Sequence, residues 1–321
     1  MDLNDTDIRE RMLDKHPIII KQYTVITPMI KDAYSMIREM VWLRHTGLFM
    51  YATPRMGKSR CALAVMELLV AEFPDKYPAY HIADSNRMAS FTRDLVVSLK
   101  LVKKDRESYS LMIEKIILHV RSQLSKIGGN HFVLIIDEMQ QLTLENYETL
   151  LVIHNRLTAE GISMTTVGFG QPTILKRRSL LITMKAYNLV ARFLSEAIQF
   201  DGCLSSECFM NILFQFDHEK QYPVDSGWSY TRFFLPKAFA AGFRLSTQHE
   251  RIWHLLEIRV GESFLPSVPL EYIFRIVEAS LVYGRKHDGT EFTLSDDAIN
   301  SALDRSNIYE YMELIKGIEI E

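Results

Sequence analysis

The stretch "TGLFMYATPRMGKSRCALAVMELLVAEF", residues 46–73, limits what this chain can fold into more than any other segment. Its opening, "TGLFMYA" (46–52), is a short apolar run bounded by turn residues and reads as a strand; its end carries apolar residues at helical spacing. Between them lie Gly57, Lys58 and Ser59. A strand that passes through such a loop into a helix curves backbone N–H groups around an anion, aims a lysine at the outer phosphates and offers a hydroxyl to Mg2+. ATP with Mg2+ is the expected ligand, contacted by Thr53, Pro54, Arg55, Met56, Gly57, Lys58, Ser59 and Arg60, with Ser59 on the metal. Where such loops usually begin with glycine this one has Ala52, the smallest replacement, tolerable if φ there is negative. Pro54 removes one N–H donor from the loop, and Arg55 adds a charge beside the phosphates.

A triphosphate site of this kind needs a second half, a hydrophobic strand ending in an acid for Mg2+ and a further acid to orient the attacking water. "HFVLIID" (131–137), about eighty residues downstream, is a nearly unbroken apolar run of the kind buried on both faces of a parallel sheet. It ends in Asp137, expected on Mg2+, followed by Glu138, expected to polarise water. "YPAYHIA" (77–83), "ISMTTVGF" (162–169) and "EAIQFDG" (196–202) read as further strands, alternating with amphipathic helices. Alternation of this sort implies an α/β fold with a parallel sheet flanked by helices. The polar tip of "ISMTTVGFGQP" places Thr166 or Gln171 as a sensor of the γ-phosphate or a positioner of water.

After about residue 203 the pattern turns mostly helical, as in "SSECFMNILFQF", "STQHERIWHLLEIRV" and "LEYIFRIVEASLVYGR", with "DHEKQYPVDSGWS" (217–229) as a loop or insertion. "FTLSDDAINSALD" reads as a turn capping a last helix. The expected division is an N-terminal extension and adenine-side helix (1–40), an α/β nucleotide-binding core (41–203) and a helical lid with a C-terminal tail (204–321). The charged first twenty and last fifteen residues read as tethers. Among the 321 residues, 37 basic side chains face 40 acidic ones for a net charge of -3, so no global basic field advertises nucleic acid. Any DNA contact must come from a local patch, either "LKLVKKDR" with Lys103 and Lys104 and, less centrally, Arg93, or "LKRRS" with Lys176, Arg177 and Arg178. No stretch approaches the ~20 apolar residues of a membrane span, and the three cysteines, Cys61, Cys203 and Cys208, form no disulfide framework, so a cytoplasmic protein is expected. Cys203 and Cys208 with His218 match no zinc spacing and read as packing residues.

Taken in order, "ATPRMGKS", "VLIIDE", "TTVGFGQP", "LVARF" and "FFLPKAFAAGFRLSTQHERIWHLL" resemble the AAA+ ATPases of the TniB/TnsC group over about residues 20–305. These are regulators of Tn7-like and Tn5053-like transposition, with the MuB target-selection ATPase and the ExeA-type ATPases as more distant relatives. The resemblance implies an AAA+ P-loop NTPase core followed by a small helical lid, with Lys58, Glu138 and Arg192 as the catalytic set and Arg192 acting as a finger on a neighbouring subunit's site. It also implies an ATP-dependent ring or helical filament that coats duplex DNA without reading sequence and marks the insertion site. The partners implied are a second copy of the chain, transposase or integrase subunits and a target-selector protein, with no membrane, and hydrolysis takes the assembly apart. The alternative is an AAA+ adaptor that remodels or loads a protein, helicase-loader-like or ExeA-like. One departure stands out: many AAA+ lids carry Gly-x-x-Arg, whereas the lid helix "LPSVPLEYIFRIVEAS" has only Arg275, deeper in it.

Overall fold

The structure is a computed structural model that describes residues 3–84, 91–102, 107–261 and 267–319. Its elements in chain order are α1 (Thr6–Leu13), α2 (Pro17–Ile20), α3 (Pro28–Trp42), β1 (Gly47–Tyr51), α4 (Lys58–Glu72), β2 (Lys76–Ile82), α5 (Phe91–Ser98) and α6 (Tyr109–Ile127). They continue with β3 (His131–Asp137), α7 (Leu144–Ala159), β4 (Ser163–Gly170), α8 (Thr173–Thr183), α9 (Tyr187–Phe193) and β5 (Glu196–Gln199). The chain then runs through α10 (Ser206–His218), α11 (Tyr230–Phe234), α12 (Pro236–Ala240), α13 (His249–Val260), α14 (Leu270–Gly284), α15 (Asp296–Ser306) and α16 (Ile308–Glu319). Two compact units result, Ile30–Phe200 and Met1–Met29 with Asp201–Glu321. The first 29 residues group with the C-terminal helices, and the α/β unit begins inside α3.

In the α/β unit five parallel strands lie in the order β2-β3-β4-β1-β5. Every residue of β3 is buried, as a strand with a neighbour on each side and helices on both faces requires. β1 and β4 are buried almost throughout, whereas β5 is a short edge strand with exposed side chains. The helices are set by amphipathic spacing and by caps. α6 buries Met112, Ile113, Ile116, Ile117, Val120 and Leu124 along one face; the Ser108 hydroxyl accepts from Leu111 N–H at its start, and Gly128 ends it at φ 66°. α7 begins at a capping box in which Thr143 and Asn146 satisfy each other's backbone N–H. The segment 173–183, read only as a basic cluster from its sequence, is helical and buries just Ile174 and Leu181.

The second unit is helical, and its N-terminal segment is folded into it. The expected tethers are thereby corrected. Leu3, His16 and Ile18 are buried, and the His16 ring sits 4.7 Å from the rings of Tyr222, Tyr230, Phe233 and Phe234. At the other end Ile308, Tyr311 and Met312 of α16 are buried, so one more helix follows the one expected to be last. Arg275 is engaged inside this unit: it pairs with Glu271, donates to Ser306 O at 3.1 Å and lies over the Tyr272 ring. His218 packs on Phe214, the Cys208 Sγ lies 3.4 Å from Met29 Sδ, and among the described residues no cluster of three or more metal-ligating side chains occurs. No helix among the described residues is long and apolar enough to cross a membrane.

Candidate nucleotide site

The C-terminal edge of the sheet assembles the site. Tyr51 at the end of β1 pairs with Gly170 of β4, and the ladder continues one residue further as Ala52 N–H donates to Gly170 O at 3.2 Å. Ala52 is buried and its φ is negative, so the missing loop glycine costs nothing at that position. The strained residue is Arg55, in the left-handed region at φ 69°, a conformation that disfavours a side chain by about 1–2 kcal/mol. Gly57 takes φ 98° and caps α4, whose first residue is Lys58. Ser59 and Arg60 are exposed at that helix start, as are Pro54 and Arg55 in the loop; Thr53 is half-buried and Met56 buried. An anion there meets the N–H groups at the start of a fifteen-residue helix, with the positive end of its dipole behind them.

Lys58 is buried, and its Nζ donates to the loop's own carbonyls, Ala52 O and Thr53 O, both at 2.8 Å. Burial pushes its pKa below the ordinary lysine value, and the carboxylates of Glu138 and Asp137 push back. The ammonium forms an ion pair with neither acid. Asp137 is buried at the end of β3; its Oδ1 accepts from Glu138 N–H at 2.9 Å and its Oδ2 accepts from Tyr80 O–H at 3.0 Å. Glu138 follows at φ 53°, so the chain turns sharply between the two acids. The amides of Gln140 and, at 3.5 Å, Gln171 donate to its Oε2. Gln171 lies just beyond the edge formed by Gly170 and is half-buried.

The donor set fits a hard divalent cation. Mg2+ held with a nucleotide needs only one or two protein oxygens, because phosphates and water complete its octahedron. The Ser59 hydroxyl and the Asp137 carboxylate are oxygen donors of that kind.

Several expected residues lie elsewhere. Thr166 pairs with Gly47, four residues back from the Tyr51–Gly170 pair, hence roughly 13 Å from the site edge along the strand, and is corrected as a γ-phosphate sensor. Arg192 is half-buried at the end of α9, and its carbonyl approaches Gly47 at the N-terminal start of β1. It thus stands at the opposite edge of the sheet from Lys58 and does not meet its own loop. Arg178 of the second basic cluster donates to Leu194 O at 2.8 Å and Ser195 O at 3.5 Å. Arg93 is half-buried on α5, and Lys103 and Lys104 lie outside the described residues. Two site residues escaped the sequence reading, Tyr80 and Gln140. Tyr80 had a signal: it lies two residues before Ile82, the register partner of Asp137, and so shares that residue's face. Gln140 sits in a tight turn after the acids and had none.

Residues 44–178 match the family described as an AAA domain. The chain superposes on Drosophila ORC bound to DNA with a TM-score of 0.50 and 10% identity, over 96% of this chain and 68% of that one. The α/β unit has the AAA+ P-loop NTPase fold. Domain III of the replication initiation protein DnaA from Thermotoga maritima is similar over 87% of this chain and 93% of that chain, with a TM-score of 0.46 and 16% identity. The Aeropyrum pernix ORC1 protein in complex with DNA is similar over 85% of this chain and 63% of that one, with a TM-score of 0.48 and 13% identity. No curated protein matches the sequence significantly. At these identities the solved structures speak for the fold alone. AAA domains generally hydrolyse nucleoside triphosphates, and in this AAA+ core Lys58 and Ser59 open the helix that follows β1, while Asp137 ends β3 and Glu138 follows it.

Proposed function

We propose that this chain is an ATP-hydrolysing AAA+ regulator of DNA transposition that assembles on duplex DNA in its ATP state, recruits a transposase and is released on hydrolysis. The observation that supports the catalytic half is that Lys58, at the start of the long helix after β1, and Asp137 and Glu138, at the end of β3, lie at the same end of one parallel sheet. In that reading ATP draws the Lys58 ammonium away from Ala52 O and Thr53 O and onto its phosphates. Bound Mg2+ would be held by Ser59 and Asp137 and would neutralise charge on the transferring phosphoryl group. Glu138 accepts the proton of the attacking water, Gln171 positions that water, and Arg192, remote from its own loop, serves the site of a neighbouring copy.

Two things support the DNA half. The motif order resembles the TniB/TnsC group, and the fold is shared with an ORC assembly bound to DNA. Lys103 and Lys104, with Arg93, are the proposed phosphate contacts, and Lys176, Arg177 and Arg178 the alternative cluster. The net charge of -3 does not oppose this, because an oligomer repeats a small basic patch along the phosphate backbone. The deciding experiment measures ATP turnover with and without duplex DNA and images the protein with ATP on DNA. Stimulation together with DNA-bound rings or filaments is expected, and substitution of both Lys103 and Lys104 by Ala should weaken ATP-dependent binding and flatten its salt dependence. Turnover indifferent to DNA, with no assembly on it, would instead indicate a protein-remodelling adaptor.

A further inference from the structure

Glu138 has two carboxylate oxygens, and the structure treats them differently. Oε2 accepts from the Gln140 amide and, at 3.5 Å, from the Gln171 amide, whereas Oε1 accepts from no described residue. The orientation of the Gln140 amide follows from its network. Its Oε1 accepts from Gln171 N–H at 3.0 Å, which leaves its N–H2 facing Glu138. Gln140 is nearly buried, and room for it comes from Gly170: a Cβ there would lie 2.8 Å from Gln140 Oε1 and 3.3 Å from Ile174 Cδ1. The side chain therefore ties the tip of β4 to the acid that follows β3.

We propose that Gln140 is a positioning residue that, with Gln171, saturates Glu138 Oε2 and so assigns Oε1 as the oxygen that takes the proton from water. This rests on the reading of Glu138 as the base. Gln171 belongs to the same network twice, its backbone N–H holding Gln140 Oε1 and its side-chain amide reaching Glu138 Oε2. Gln140 touches no reacting atom; it acts through Glu138.

The test uses the full chain with Gln140→Met, which keeps length and volume but donates nothing, alongside Gln140→Ala and Glu138→Gln. Equilibrium binding of a non-hydrolysable ATP analogue, turnover at saturating ATP, and affinity for Mg–ADP–aluminium fluoride relative to Mg–ADP are measured on each. Loss of one amide donor to a carboxylate should lower turnover roughly tenfold to a hundredfold. The preference for the aluminium fluoride complex should fall in parallel, with analogue binding within about twofold of wild type. Gly170→Ala should cause a loss of the same kind, and should add little in the Gln140→Ala background, where its clash with the amide oxygen is gone. Wild-type turnover in both Gln140 variants beside an inactive Glu138→Gln would overturn the proposal and leave the base assignment standing. Wild-type turnover in Glu138→Gln would overturn the base assignment itself. Equal loss of analogue binding and turnover in the Gln140 variants would mean a structural role and would also overturn the proposal.

Discussion

Arg55 performs two roles that a single substitution would confuse. Its backbone supplies the left-handed turn of the loop, φ 69°, and its side chain brings a positive charge. Arg55→Gly removes the charge and relieves the turn; Arg55→Ala removes the charge and keeps the strain. The Gly variant should therefore melt higher than the Ala variant by the equivalent of about 1 kcal/mol, while both lose the same factor in ATP affinity. Equal melting temperatures would show that the turn carries no strain. Arg192 lends itself to a different test, because it stands far from its own loop. Arg192→Ala should bind nucleotide normally and turn over roughly 10³-fold more slowly. Mixed with Lys58→Ala, which cannot use its own site, it should regain activity, since each variant supplies what the other lacks; no recovery on mixing would exclude action in trans. The position of Lys58, Ser59, Asp137 and Glu138 at one end of the sheet was legible in the sequence, because phosphate and Mg2+ chemistry dictates both residue type and place relative to a strand end. Tyr80 and Gln140 were less so. Their contacts arise when β2 and β4 come to lie on either side of β3, and any polar side chain of that length at those positions writes the same string.

At the scale of elements, legibility followed burial. β3 is enclosed on all sides, the five residues between His131 and the acid, Phe132 to Ile136, are all apolar, and its bounds could be read off as 131–137. α8 is the opposite case: with only Ile174 and Leu181 buried, the apolar stripe that announces a helix is too thin, and Lys176, Arg177 and Arg178 dominate the reading. The same reasoning explains the misread tethers. The N-terminal segment carries charge outward on α1 and contributes few but buried residues, Leu3 before that helix, His16 between the two helices and Ile18 in α2, which a composition argument averages away. The helical unit also contains a polar anchor that no periodicity reveals. Asp217, at the end of α10, is 1% exposed and accepts from Leu245 N–H at 3.0 Å and Ser246 N–H at 2.8 Å, fixing the chain that leads into α13. Asp217→Ala leaves two N–H groups, one buried and one half-buried, without their acceptor and should cost about 2–4 kcal/mol, measured by denaturant unfolding. Asp217→Asn keeps one acceptor oxygen and should cost less. A neutral Ala variant would mean that solvent reaches those groups in place of the carboxylate.

Across the whole molecule, buried imidazoles set the response to acid. His16 lies in the helical unit, where burial among four aromatic rings pushes its pKa down to about 3. Its Nδ1 accepts from Ile18 N–H at 3.1 Å, a bond that only the neutral ring can make. His81 and His131 lie in the α/β unit, and burial pushes each down to about 4, helped at His131 by the charges of Arg44 and Lys76. Burial lowers His119 and His154 as well, with contributions from the charges of Lys126 and Arg192 respectively. Each of these groups titrates near 6.5 in the unfolded chain, so below that pH the unfolded state takes up protons that the folded state refuses. Stability should accordingly be level, as far as histidine is concerned, above about pH 7 and should fall as pH drops from about 6.5 toward 4, by up to about 1.4 kcal/mol per pH unit for each such ring. Both units are expected to share the trend, because each holds at least one of the rings. Unfolding measured between pH 7.5 and 5 checks this, and His131→Asn should reduce the slope by about one proton, since the amide neither titrates nor needs desolvation of a charge. A slope that did not change would mean that His131 is protonated in the fold, with its bond to Thr165 Oγ1 at 2.9 Å and water sustaining the charge.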